Sequence, residues 1–181
     1  MSSPSYIELS REAYEHNLRF LRGLIKKGTR FSSVVKGNAY GHGIDAFVPM
    51  AESLGVDHFS VYSADEAREV FHAIKSERTE LMIMGYISNE SLEWAIENDI
   101  SFFVFEFDRI KAAAETADRL KKKAKIHIEL ETGMNRTGFD HEEVSRLIPF
   151  IKKYQDHLII EGLCTHYAGA ESIANYLRVE E

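Results

Sequence analysis

An α/β fold on a parallel sheet is predicted by three features of the sequence. Short runs rich in β-branched and aromatic residues recur along the chain, segments with helical apolar spacing separate them, and the two kinds of segment alternate strictly. Parallel neighbours need crossover connections, and helices in those connections cover the apolar strands, so this alternation is what a parallel sheet requires.

The elements follow in order. Tyr14, Leu18, Leu21 and Ile25 form one stripe of a first helix, with Gly28 beyond it as a stop signal. Strands are predicted at residues 31–35, 58–62, 81–84, 102–105, 126–130 and 158–164. After the second strand, Ser63-Ala-Asp-Glu66 is a capping box, and Ala67, Val70, Phe71 and Ile74 share the face of the helix it starts. Helical stripes recur at Leu92, Ala95 and Ile96, at Ile110, Ala113, Ala117 and Leu120, and at Val144, Leu147, Ile148 and Ile151. The lysine-rich run 121–125 suits a solvated helix end beside the negative pole of the helix dipole. Residues 171–181 open a further helix with no strand after it. An eight-unit barrel takes ~250 residues, so six strands in 181 residues predict one domain, residues 1–181, about two units short of closure.

Composition narrows the function. Hydrophobic residues at 44% and charged residues at 28% suit a globular domain rather than disorder or a coiled coil. A formal charge of −7 offers no general attraction to nucleic acid or anionic lipid. Cys164 is a lone cysteine, the chain's start lacks a secretion signal, and no run approaches the ~20 apolar residues of a membrane span. These features predict a cytoplasmic protein.

Functional residues of parallel α/β folds gather at the carboxyl ends of strands. The first strand ends in Val34-Val-Lys-Gly-Asn-Ala-Tyr-Gly-His-Gly43, which sets Lys36 where an apolar approach meets a loop with three glycines. A lysine so placed suits Schiff-base chemistry, and the glycines allow close backbone approach to a cofactor; alone, the same residues equally describe a surface lysine before a turn. The spacing is not that of a P-loop. The fifth strand ends in His127-Ile-Glu-Leu-Glu131 and runs on to Arg136, which Gly133 and Gly138 bracket. Its guanidinium could serve a phenolate, carboxylate or phosphate, or form a structural salt bridge with Glu129 or Glu131. The sixth strand leads into Thr165-His-Tyr-Ala168, with His166 just past the apolar run. No histidine pair has zinc-ligand spacing, so no metal is expected, and Cys164 reads as a buried small hydrophobe.

The stretch Val34 to Gly43 closely resembles the pyridoxal-phosphate lysine motif of alanine racemases. Glu131-Thr-Gly-Met-Asn-Arg-Thr-Gly-Phe139 and Thr165-His-Tyr-Ala168 resemble two further segments of that family, in the same order, and the resemblance runs from Tyr6 along the whole chain. It implies a (β/α)8 TIM-type barrel of the alanine racemase class, of which about six βα units are present. The family's C-terminal β domain would be absent, leaving an incomplete N-terminal pyridoxal-phosphate-binding domain.

The resemblance also implies roles. Lys36 would hold pyridoxal 5'-phosphate as an internal aldimine and act as one of two acid/base groups. Tyr40 would donate to the cofactor phosphate, Arg136 would lie by the phenolic oxygen and substrate carboxylate, and His166 would pack on the pyridine ring, with Asn38 supporting. Where many members carry a lysine, often carbamylated, seven residues before the arginine, this sequence has Glu129. The implied activity is interconversion of L-alanine and D-alanine for peptidoglycan, by a homodimer when full length. The second acid/base would lie outside these residues, so this stretch alone is expected to be poorly active. Alternatives are a racemase of broader specificity, a related decarboxylase, a non-catalytic single-domain barrel that carries the cofactor, and a half-barrel with no ligand.

Overall fold

The computed structural model describes residues 5–169, and the helix expected over residues 171–181 lies outside them. The chain divides into two compact units, Met1–Met84 and Gly85–Glu181.

In the first unit, α1 (Arg11–Leu24) starts at Ser10, whose hydroxyl accepts from Ala13 N at 3.2 Å. The strands β1 (Ser33–Val34), β2 (His58–Val61) and β3 (Glu80–Ile83) follow in parallel, with β1 beside β2 and β2 beside β3. A single turn, α2 (Lys36–Tyr40), and the helix α3 (Ile44–Ser53) connect β1 to β2, and α4 (Ala64–Ala73) connects β2 to β3. Every residue of β2 is buried, as a parallel strand covered on both faces requires.

The second unit repeats the arrangement with α5 (Asn89–Glu97), β4 (Ser101–Val104), α6 (Phe107–Leu120), β5 (Ala124–Glu129), α7 (His141–Tyr154), a short 3-10 turn Gln155–His157 and β6 (Leu158–Cys164). Its strands pair in parallel as β4 to β5 and β5 to β6. The α6 stripe of Ile110, Ala113, Ala114 and Ala117 is fully buried, together with Phe102 and Val104 of β4. Burying a large apolar side chain such as Phe102 contributes roughly 1.5–3 kcal/mol.

The six predicted strands and the Ser63–Glu66 capping box are all found. Four expectations need correction. Helix α1 stops at Leu24 and Ile25 is already extended, so Gly28, although at φ +90°, shapes the following loop rather than ending the helix. Of the α1 stripe only Leu18 is buried, Leu21 remaining 42% exposed. Strand β1 is two residues long, because the backbone leaves the extended conformation at Val35 (φ −124°, ψ 22°), whose amide makes the last bond to β2, to Ser60 O at 2.9 Å. The lysine-rich run is solvated at Lys121, which pairs with Asp118 at 3.1 Å, but Lys125 belongs to β5.

Candidate functional site

Where β1 ends, the backbone enters a conformation that L residues rarely adopt. Gly37, Asn38, Ala39 and Tyr40 all have φ between +53° and +62°, a left-handed turn that costs each non-glycine residue on the order of 1 kcal/mol. Local hydrogen bonds hold it. Gly41 N donates to Gly37 O at 3.0 Å, His42 N to Ala39 O at 3.0 Å and Gly43 N to Asn38 O at 3.0 Å. The Asn38 side chain also accepts from Ile44 N at 2.8 Å, satisfying the first amide of α3 where Gly43 has no side chain to do so.

Glu66 connects this turn to the next helix. Its Oε2 accepts from Ser63 N at 3.2 Å to complete the capping box and from Tyr62 N at 2.8 Å, while its Oε1 accepts from Gly37 N at 2.7 Å. The peptide that follows Lys36 is therefore fixed by a carboxylate on α4. Lys36 itself is half-buried, and its ammonium has no hydrogen bond or ion pair among the described residues. Tyr40, 65% exposed, likewise keeps its hydroxyl without a partner there.

In the second unit, the loop after β5 is closed by backbone pairing of Glu131 N with Phe139 O at 3.0 Å and of Phe139 N with Glu129 O at 2.8 Å. Gly138 is required at that closure. It sits at φ +123°, and a Cβ there would fall 2.5 Å from Glu131 N and 2.6 Å from Leu130 C. Inside the loop the Glu131 carboxylate accepts from the backbone amides of Gly133 and Arg136, the latter at 3.2 Å. Amide donors, that of Asn135 first, hold its carboxyl below the ordinary value of 4.5.

The salt bridge considered for Arg136 is thus not formed. Glu131 holds the Arg136 backbone and leaves the guanidinium without an ion pair among the described residues. Glu129 is 3% exposed, and its carboxylate has no hydrogen-bond partner among the described residues.

Beyond β6, Thr165 Oγ1 donates to Leu130 O at 2.9 Å and shares a 2.5 Å hydrogen bond with Thr132 Oγ1, binding the two strand ends together. His166 follows as an exposed residue with no partner among those described. A register shift after Ile126 brings Cys164 opposite Glu129. Burial, and then the Glu129 charge, push the Cys164 thiol up to about 12, so it is no nucleophile at neutral pH. Cys164 is part-buried rather than fully buried, donating from Sγ to Ile128 O at 3.5 Å. No group of metal-ligating side chains occurs among the described residues, and no helix there is long and apolar enough to cross a membrane.

Lys36 and Tyr40 therefore share one strained turn of the first unit, and Arg136 and His166 share the ends of β5 and β6 in the second. The sequence reading identified the Ser63–Glu66 box but missed its bond to Gly37, since a pairing across 29 positions has no local signal. It also missed the second capping box, Asp140 with Glu143, which the spacing D-x-x-E announces.

Residues 9–179 match the family described as "Alanine racemase, N-terminal domain". An alanine racemase of Methanococcus maripaludis is 31% identical over 174 residues, 95% of this chain and 46% of its own length. Among solved structures, an alanine racemase of Clostridium difficile superposes with a TM-score of 0.83 at 26% identity, over 93% of this chain and 44% of that one. A histidine racemase of Leuconostoc mesenteroides gives a TM-score of 0.83 at 26% identity, over 95% of this chain and 45% of that one. The chain thus spans less than half the length of these relatives.

Two outcomes are expected. Glu66→Ala leaves three backbone amides without their acceptor and lowers stability by about 1–3 kcal/mol in a urea melt, with Glu66→Gln closer to wild type. Glu131 has a folded-state carboxyl below 4.5, so its contribution to loop order is present above 4.5 and is lost as pH falls through the lowered value. The Gly133 and Arg136 amide resonances should accordingly titrate together, with a midpoint under 4.5.

Proposed function

The chain belongs to the alanine racemase N-terminal domain family, and from that premise we propose that it is the cofactor-binding barrel segment of a pyridoxal-phosphate-dependent amino-acid racemase acting on alanine. The observation that carries this reading is Lys36: a half-buried amine at the end of an apolar strand, without a partner among the described residues, on a turn whose backbone is fixed by Glu66 and Asn38. The donor set suits the cofactor. An amine serves an aldehyde, the Tyr40 hydroxyl serves a phosphate, and the Arg136 guanidinium serves a phenolate or carboxylate.

The chemistry supplied by bound pyridoxal phosphate is an electron sink for charge that develops at the substrate α-carbon. Lys36 would hold the cofactor through Nζ and would move the α-proton on one face. Tyr40 Oη would donate to its phosphate, the guanidinium of Arg136 would orient the phenolic oxygen and the substrate carboxylate, and His166 would pack against its ring. Glu129 would act as a positioning residue: its carboxylate would supply an anion for the Arg136 guanidinium, which makes no ion pair among the described residues. The acid/base group of the opposite face would come from outside these residues, as the resemblance implies. The proposed setting is a cytoplasmic homodimer whose D-alanine serves the cell wall.

The second reading is a racemase of another or wider amino-acid range, since a histidine racemase shares this backbone as closely as an alanine racemase does and the fold alone does not select the substrate.

Incubation with pyridoxal phosphate should give a visible absorbance band, and borohydride should tag Lys36; Lys36→Ala should show neither. A tag elsewhere would overturn the reading. Glu129→Gln should leave cofactor uptake in place, shift the band and weaken L-alanine binding, whereas an unchanged spectrum and affinity would remove the positioning role.

A further inference from the structure

Lys36 has a large neighbour in its own unit that the roles above leave unused. Tyr62 directly follows Val61, the last residue of β2, and Lys36 stands two residues past the end of β1. Val34 of β1 is in register with Ser60 of β2, so two residues further along each strand Lys36 comes level with Tyr62. Past that point the Glu66 carboxylate ties the two together. One oxygen accepts from Gly37 N at 2.7 Å and the other from Tyr62 N at 2.8 Å, so the peptide after Lys36 and the backbone of Tyr62 lie within reach of a single side chain.

Side chains alternate along a strand, so β2 sends Val61 to one face of the sheet and Ser60 and Tyr62 to the other. Val61 is fully buried, whereas Tyr62 is 59% exposed. The face of Ser60 is also the one to which Ser32, just before β1, is directed: its hydroxyl shares a 2.5 Å hydrogen bond with Ser60 Oγ and lies 2.7 Å from His58 Nδ1. Counting on in twos from Ser32 reaches Val34 and then Lys36. Lys36 and Tyr62 therefore end neighbouring strands on one sheet face, at the carboxyl ends where ligands of such folds bind.

The phenol has no use within the fold, since the Tyr62 side chain makes no hydrogen bond or ring contact among the described residues. Its ring takes up space beside the amine. A lysine that moves the α-proton brings the substrate α-carbon to Nζ, and the carboxylate on that carbon is already given to Arg136. The remaining substituent, the substrate side chain, then competes for room with whatever flanks Lys36.

We propose that Tyr62 is a specificity-determining residue, whose ring restricts the substrate side chain beside Lys36 to small groups such as the methyl of alanine. The inference rests on the racemase reading and deepens it by naming what selects the substrate. Because a histidine racemase shares the backbone, that selection has to come from side chains.

The test uses Tyr62→Ala, which removes the ring, and Tyr62→Phe, which keeps it without the hydroxyl; neither breaks a side-chain contact among the described residues. On chain loaded with pyridoxal phosphate, L-alanine and L-leucine are titrated through the visible band. Wild type should prefer L-alanine. Tyr62→Ala should move the affinity ratio about tenfold toward L-leucine, as expected when room for added methylenes is opened, and Tyr62→Phe should keep the wild-type ratio. On unloaded chain, borohydride trapping of propanal and of benzaldehyde at Lys36 is followed by mass spectrometry, and Tyr62→Ala should raise benzaldehyde tagging relative to propanal. An unchanged ratio in Tyr62→Ala, or an equal shift in Tyr62→Phe, overturns the proposal in either assay. Failure of wild type to take up pyridoxal phosphate instead defeats the racemase reading, and the two aldehydes then decide Tyr62 alone. Tagging of Lys36 by neither aldehyde in any variant also overturns it, because the ring would then border no accessible amine.

Discussion

The Glu66 carboxylate is the constraint on which the first unit's chemistry depends. Its position is set by helix capping, since one oxygen satisfies the amides of Tyr62 and Ser63 at the start of α4. The other oxygen reaches Gly37 and secures the peptide immediately after Lys36. Hydrogen-bonding demand at a helix terminus, a problem every helix has, here holds a turn of left-handed residues in place. The amine it carries remains half-buried while the backbone beneath it is fixed on both sides, by Glu66 and by Asn38.

The loop after β5 solves a similar problem with its own carboxylate. Glu131 satisfies backbone amides within the loop, so the Arg136 side chain is presented by an ordered backbone without being consumed in a salt bridge. In both units an acid is used on main-chain donors and a cation is left available. Gly138 completes the second loop because only a residue without Cβ lets the chain pass Glu131 and Leu130 so closely. Cys164 pairs with Glu129 across β5 and β6, and its burial together with the Glu129 charge makes the thiol inert at neutral pH.

Family membership and these local geometries carry different weight. Membership establishes a segment of a racemase-type barrel, and the chain spans less than half the length of the relatives it matches. The geometry speaks to what this segment contributes: an available amine, an available guanidinium and an exposed phenol on the strand beside the amine.

The strands, the alternation of elements and the α4 capping box were legible in the sequence, because each rests on periodicity or on interactions within one turn of chain. The strand-end positions of Lys36 and Arg136 followed from the same local patterns. The end of α1 was not legible, since Gly28 and the stripe through Ile25 both suggested a longer helix than the packing of Leu18 alone supports. Nor were the bond from Gly37 to Glu66, the solitary burial of Glu129 or the placement of Tyr62 beside Lys36. These join residues distant in sequence, and whether a charged side chain pairs, caps or is buried alone depends on what folding brings beside it. The sequence thus determined which elements form and where the candidate side chains emerge, whereas the tertiary structure decided which charges bond to the backbone and which have no partner among the described residues.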